Sequence, residues 1–206
     1  MNIAALFFAA AAGMFLAILA GRVAPRLWLA ATLVGVTAAM VAAVSVLTGG
    51  ADWEWRSSFL LGGEPLYLRL DSLSAFFLVL LCVVGAAGSV YAREYWPDTE
   101  HPRSARTGRV WWSVMLSSLG FVLLATNGLH FLIAWELFTL SAYFLITVNR
   151  QRREVRAAGW LYIGASHAAT LALFAFFTTL AARTGSWELA SMSDRASPRP
   201  CHGPPT

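Results

Sequence analysis

Six apolar runs, each long enough to cross a bilayer, account for most of this 206-residue chain. They are Ile3–Ala20, Leu27–Leu47, Leu73–Tyr91, Val110–Thr126, Leu129–Val148 and Gly159–Ala182. A helix rises about 1.5 Å per residue and the hydrocarbon core is about 30 Å thick, so runs of this length match a membrane crossing. Inside lipid the backbone must satisfy its own N–H and C=O groups, which makes each run a helix. Residues are 58% hydrophobic and only 13% charged, a balance that excludes an ordinary soluble domain. The expected fold is an all-α polytopic membrane domain of six helices over residues 1–190. A tail over residues 191–206 carries four prolines and no apolar period; it is expected to be disordered.

The first run has no preceding basic residue and is too long for a signal-peptide core, so it reads as a retained helix. Charge then sets the topology. All fifteen basic residues are arginine. Ten of them fall in the first, third and fifth connections: Arg22 and Arg26; Arg93, Arg103, Arg106 and Arg109; Arg150, Arg152, Arg153 and Arg156. The second connection holds only Arg56 and Arg69, and the fourth none. The positive-inside rule therefore predicts a multi-pass protein with its N-terminus outside and these three connections in the cytoplasm. A formal charge of +4 points in this setting to topology and anionic lipid, not to nucleic acid.

The long second connection carries Trp53-Glu54-Trp55 and Pro65-Leu66-Tyr67-Leu68 on either side of Gly62-Gly63, the pattern of a small external β-hairpin between helices two and three. Asp71 is placed to cap the third helix. Asn127-Gly128 alone joins spans four and five, predicting a tight antiparallel pair. Trp28, Trp96, Trp111, Trp112 and Trp160 lie near span ends and read as interfacial anchors. Dense Ala and Gly in spans one and two permit close helix approach. Cys82 and Cys201 form no framework, and His202 beside Cys201 offers too few ligands for a metal. No nucleotide loop, haem motif or metal spacing occurs, so neither cofactor nor metal is expected.

Glu136 stands inside the fifth span with no charge near it in sequence. A carboxylate at that depth costs about 3 kcal/mol on insertion scales, which makes it a functional candidate by default; the plainer reading is a glutamate that only ties helices together. His167 lies about eight residues into span six, and imidazole suits proton passage near neutral pH. Counting rise from opposite surfaces puts Glu136 and His167 within about 7 Å in height, so a proton relay between them is geometrically open. His130, one residue into its span, reads as interfacial. An intramembrane serine protease built on Ser166 is disfavoured: Ser166 and His167 are neighbours pointing in different directions, and His130 lies near the other surface.

Three segments in series carry a resemblance. They are Leu70-Asp71-Ser72-Leu73-Ser74-Ala75-Phe76-Phe77, then Phe131-Leu132-Ile133-Ala134-Trp135-Glu136-Leu137 running into Leu140-Ser141-Ala142-Tyr143-Phe144-Leu145, and Ala158-Gly159-Trp160-Leu161-Tyr162 with Ser166-His167. Over roughly residues 1–190 the chain resembles the antiporter-like, proton-pumping membrane subunits of respiratory complex I, Mrp antiporters and membrane-bound hydrogenases, nearest to the hydrogenase-4 component B and formate hydrogenlyase branch. The resemblance implies that Glu136 is the key glutamate of a proton channel. It further implies a non-catalytic membrane subunit of an oxidoreductase complex (hydrogenase or NADH:quinone oxidoreductase type), with other membrane and peripheral redox subunits as partners and H⁺, or Na⁺, as the driven ion. Family members are far longer and contain a second, inverted repeat of helices. They pair the glutamate with a lysine on the seventh helix, whereas this chain has no lysine. The expectation is a truncated subunit, ended abruptly by a shifted reading frame, that conducts nothing alone. The alternatives are a non-pumping structural or assembly fragment and an Mrp-type cation/proton antiporter subunit.

Overall fold

A computed structural model describes residues 2–189; the Pro-rich tail and its Cys201-His202 pair lie outside the described residues. In chain order the elements are α1 (Ile3–Ala20), α2 (Pro25–Leu47), β1 (Trp53–Leu61), β2 (Glu64–Leu70), α3 (Ser72–Tyr95), α4 (Ser104–Leu124), α5 (Gly128–Ile146) and α6 (Arg153–Thr184). All six helices are long and apolar enough to cross a membrane. Three run well past the apolar segments that announced them. α3 continues to Tyr95, α4 begins at Ser104 and α6 spans Arg153–Thr184, because polar turns at a membrane surface stay helical while hydropathy marks only their apolar middles.

Small residues set the first contact. A Cβ on Gly13 of α1 would lie 2.9 Å from the Cα of Gly35 on α2, so the two backbones meet where neither carries a side chain. α2 packs on α3, α1 also reaches α4, α4 pairs with α5, and α6 lies along α5. Val36, Ala43, Val46, Leu70, Ala75, Leu78, Cys82 and Leu124 form the main buried cluster.

Between α2 and α3 the chain forms the expected antiparallel hairpin, with Trp53 opposite Leu70 and Leu61 opposite Glu64. Its two-residue turn requires positive φ at both positions, and Gly62 (+66°) and Gly63 (+89°) supply it. Asp71 caps α3 by accepting the Ser74 N–H at 2.8 Å. Asn127 caps α5 through the N–H groups of Leu129 and His130.

The hairpin is stitched to the helix ends beside it. Leu68 bridges Ala125, which ends α4 at Leu124, short of the predicted Thr126. The Thr126 hydroxyl donates to the Tyr67 carbonyl at 2.8 Å. After α6 the chain returns to the same place, with Gly128 N–H donating to Trp187 O and Leu189 N–H to Thr126 O.

One sequence expectation is corrected. Trp28 is no interfacial anchor: its side chain is 1% exposed and its indole N–H donates to the Ser113 hydroxyl at 2.9 Å. His130, in the first turn of α5, packs under the hairpin. It is fully buried, with Nε2 3.1 Å from the Leu61 carbonyl at the hairpin turn.

Candidate functional site

The α5–α6 seam is built from small and aromatic residues that bring one polar pair together. At one end Gly128 meets the ring of Phe177, where an added Cβ would come within 2.7 Å, and Phe131 packs on Phe177 at 5.5 Å. At the other, Gly159 lies under Thr147 and Tyr143. Glycine at both ends holds the helices close, and midway between them His167 Nε2 lies 3.9 Å from Glu136 Oε2. The two residues singled out in sequence therefore meet, in the middle of two membrane-spanning helices.

The hydrogen-bond pattern fixes how this pair handles a proton. His167 Nδ1 is 3.1 Å from the Ile163 carbonyl. A carbonyl only accepts, so Nδ1 carries the hydrogen and Nε2 faces the carboxyl as the atom that gains or loses one. A proton held between Glu136 Oε2 and His167 Nε2 leaves either a carboxylic acid beside neutral imidazole or a carboxylate beside imidazolium. At 3.9 Å the two atoms stand just outside hydrogen-bond range, so transfer needs a bridging water or a small approach of the helices.

Sequence reasoning missed buried polar atoms on the same two helices. Glu136 Oε1, Trp135 Nε1 and Thr170 Oγ1 are buried and have no hydrogen-bond partner among the described residues. Thr170 is one turn from His167 on α6, and Trp135 adjoins Glu136, stacked on Phe131 at 5.9 Å. Buried donors and acceptors of this kind are ordinarily satisfied by ordered water, which links a carboxyl to its surroundings. A threonine and a tryptophan in apolar runs give no signal of their own; spacing from Glu136 and His167 along the facing helices was the clue available.

The pair is not sealed. Side-chain exposure is 31% for Glu136 and 51% for His167, and they lie on the flank of a helix that buries least: 6% of the apolar stretch of α6 is buried, against 22–44% in the other five. His130 is not part of this site, being committed to the hairpin carbonyl, and no hydrogen bond joins it or His167 to Ser166 among the described residues. Among these residues no group of three or more His, Cys, Asp or Glu side chains is placed to hold a metal.

No protein-family model matches the chain. Hydrogenase-4 component B of Escherichia coli is 28% identical over 126 residues, covering 61% of this chain and 18% of that protein. An uncharacterized Mycobacterium tuberculosis protein, Rv0083, is 29% identical over 137 residues, covering 65% and 20%. In fold the chain is similar to a subunit of the membrane-bound sulfane sulfur reductase, an archaeal respiratory membrane complex, with TM-score 0.72, 21% identity, and 92% of this chain laid on 29% of that one. The Mrp complex of Dietzia sp. DQ12-45-1b matches at TM-score 0.69 and 20% identity, over 91% of this chain and 20% of the other. The chain thus spans about a fifth of the length of the curated relatives it matches.

Proposed function

We propose, on the premise that this chain belongs to the antiporter-like family of membrane subunits, that it supplies a proton-exchange pair, Glu136 and His167, to a proton-translocating complex in a bacterial cytoplasmic membrane. The observation that carries this reading is the approach of the carboxyl to the imidazole inside the α5–α6 seam. Its partners are membrane and peripheral redox subunits, and electron transfer in the latter drives proton movement. Imidazole offers a hard cation no oxygen ligand, which favours H⁺ over Na⁺ as the ion handled. The arginine-rich connections face the cytoplasm and the hairpin faces outward.

The half-exposed flank of the pair supports a role inside a larger assembly. An ionisable pair facing hydrocarbon is unfavourable, so a protein surface covers it in the working complex. The six helices by themselves then hold and exchange a proton without conducting it across the membrane. The likeness to hydrogenase-4 component B supports an oxidoreductase of hydrogenase-4 type as the context.

Infrared spectroscopy of the chain in nanodiscs tests the pair. A carboxylic C=O band is expected to vanish in Glu136→Gln and shift in His167→Gln. A band indifferent to His167→Gln would show that the two do not act together. In liposomes under an imposed potential, wild type and Glu136→Gln are expected to leak protons equally. Flux that depends on Glu136 would make six helices a complete conduit and overturn the assembly reading.

A further inference from the structure

The membrane edge opposite the hairpin carries a cavity of about 450 Å³ between the start of α2, the ends of α3 and α5, and the start of α4. Its walls are aromatic and fixed. Trp28 donates to Ser113 Oγ at 2.9 Å, Trp112 to Ser89 Oγ at 2.9 Å, and Trp96 to Ser104 Oγ at 3.0 Å, so each indole spends its one donor on the protein and presents an apolar ring. Tyr91 and Tyr95, stacked at 5.0 Å, are exposed at the lip, and their hydroxyls make no hydrogen bond among the described residues.

Charge surrounds this apolar space. Arg109 also lines it, but its guanidinium is occupied: Nε donates to the Gly21 carbonyl, and both terminal nitrogens bind the Asp98 carboxylate at 2.8 and 3.0 Å. Further cations adjoin the lining residues in sequence. Each of three walls is followed in sequence by an exposed arginine: Ala92 by Arg93, Ala105 by Arg106, Asn149 by Arg150. Arg106 and Arg150 have no ion pair among the described residues, and Arg93 has only an exposed contact to Glu94 at 3.9 Å. This edge as a whole bears ten arginines against four acids, Glu94, Asp98, Glu100 and Glu154.

We infer that this cavity is a binding site for an anionic glycerophospholipid of the adjacent leaflet. Acyl chain and glycerol lie against the tryptophan and tyrosine rings, and the phosphate is held by Arg106 and Arg150 with the Tyr91 and Tyr95 hydroxyls as donors. An aromatic, partly polar cavity at headgroup depth beneath unpaired arginines fits this ligand in both halves. A zwitterionic lipid satisfies only the apolar half, and a soluble anion only the polar one. On α5 the site stands 17 residues or more from the turn at Gly128 and uses neither Glu136 nor His167, so it is independent of the proton-exchange reading.

The test uses the full chain purified from vesicles of equal phosphatidylglycerol and phosphatidylcholine, with retained lipid identified by native mass spectrometry. Phosphatidylglycerol is expected to be enriched, and the double variant Arg106→Gln/Arg150→Gln is expected to lose that preference, by about fivefold for each arginine removed. Gly108 lines the cavity, and a Cβ there would meet nothing within 4 Å, so Gly108→Leu fills the space without disturbing a wall. It is expected to release the lipid of either kind while helicity stays unchanged. Retained lipid in the bulk ratio overturns headgroup recognition, and full retention in Gly108→Leu overturns the site.

Discussion

Arg109 shows how this chain keeps a charge near the membrane edge. Its side chain is buried, and all of its described bonds go to the Gly21 carbonyl and to Asp98. Asp98→Ala is expected to strand that guanidinium and cost about 2–4 kcal/mol, somewhat under a fully buried pair because Asp98 is 28% exposed; unfolding in mixed micelles would measure it. Trp28→Phe removes one buried hydrogen bond while Ser113 keeps its own bond to the Arg109 carbonyl. A loss of about 1 kcal/mol is expected by the same measurement, well below the Asp98 effect. Glu136 was legible in the sequence because a charge inside an apolar run contradicts its surroundings. His130 was not, since its burial comes from a carbonyl 69 residues away. Trp28 misled for a related reason: proximity to a span end resembles interfacial anchoring until the partner, Ser113 on α4, is known.

Elements were the most readable level. Hydropathy located all six helices and glycine chemistry located the hairpin, because both signals are local. What lay beyond local signals was pairing: the bridge between Leu68 and Ala125 shortened α4, and the return of the chain to Thr126 after α6 had no announcement in sequence. Gly63 allows the turn to be tested in isolation. No atom lies within 4 Å of where its Cβ would be, so Gly63→Ala meets only the backbone penalty of positive φ. A loss of about 1–2 kcal/mol of hairpin stability is expected, seen as faster amide exchange across Trp53–Leu70, while Gly63→Asn should stay near wild type. The seam gives a contrasting case. Gly128→Val forces atoms against the Phe177 ring and should move α6 away from α5. The infrared signature of Glu136 is expected to lose its dependence on His167 in that variant.

At the scale of the whole molecule the arginine asymmetry predicts which end faces the cytoplasm. With Cys82 and Cys201 replaced, a cysteine at Gly63 is expected to react with an impermeant maleimide from outside intact cells, and one at Arg103 only after lysis. Reversal of that pattern would invert the topology. The same two ends differ in how the helices are joined. On the hairpin side, His130, Gly128, Thr126 and Leu189 lace α5 and α6 to the rest by hydrogen bonds. On the arginine-rich side the hydrogen bonds of residues 147–156 are local, and contacts to α4 are of the Trp111–Phe144 stacking type. A helix pair laced by hydrogen bonds at one end and joined at the other by packing alone, where Gly159 seats α6 on Thr147 and Tyr143, has a gear ratio. Glu136 sits about 12 Å from the laced end on a helix about 28 Å long, so a swing of about 2 Å at the far loops becomes just under about 1 Å at the carboxyl. That is the distance separating a 3.9 Å gap from a hydrogen bond: whatever grips the arginine-rich loops holds the throttle of the proton pair.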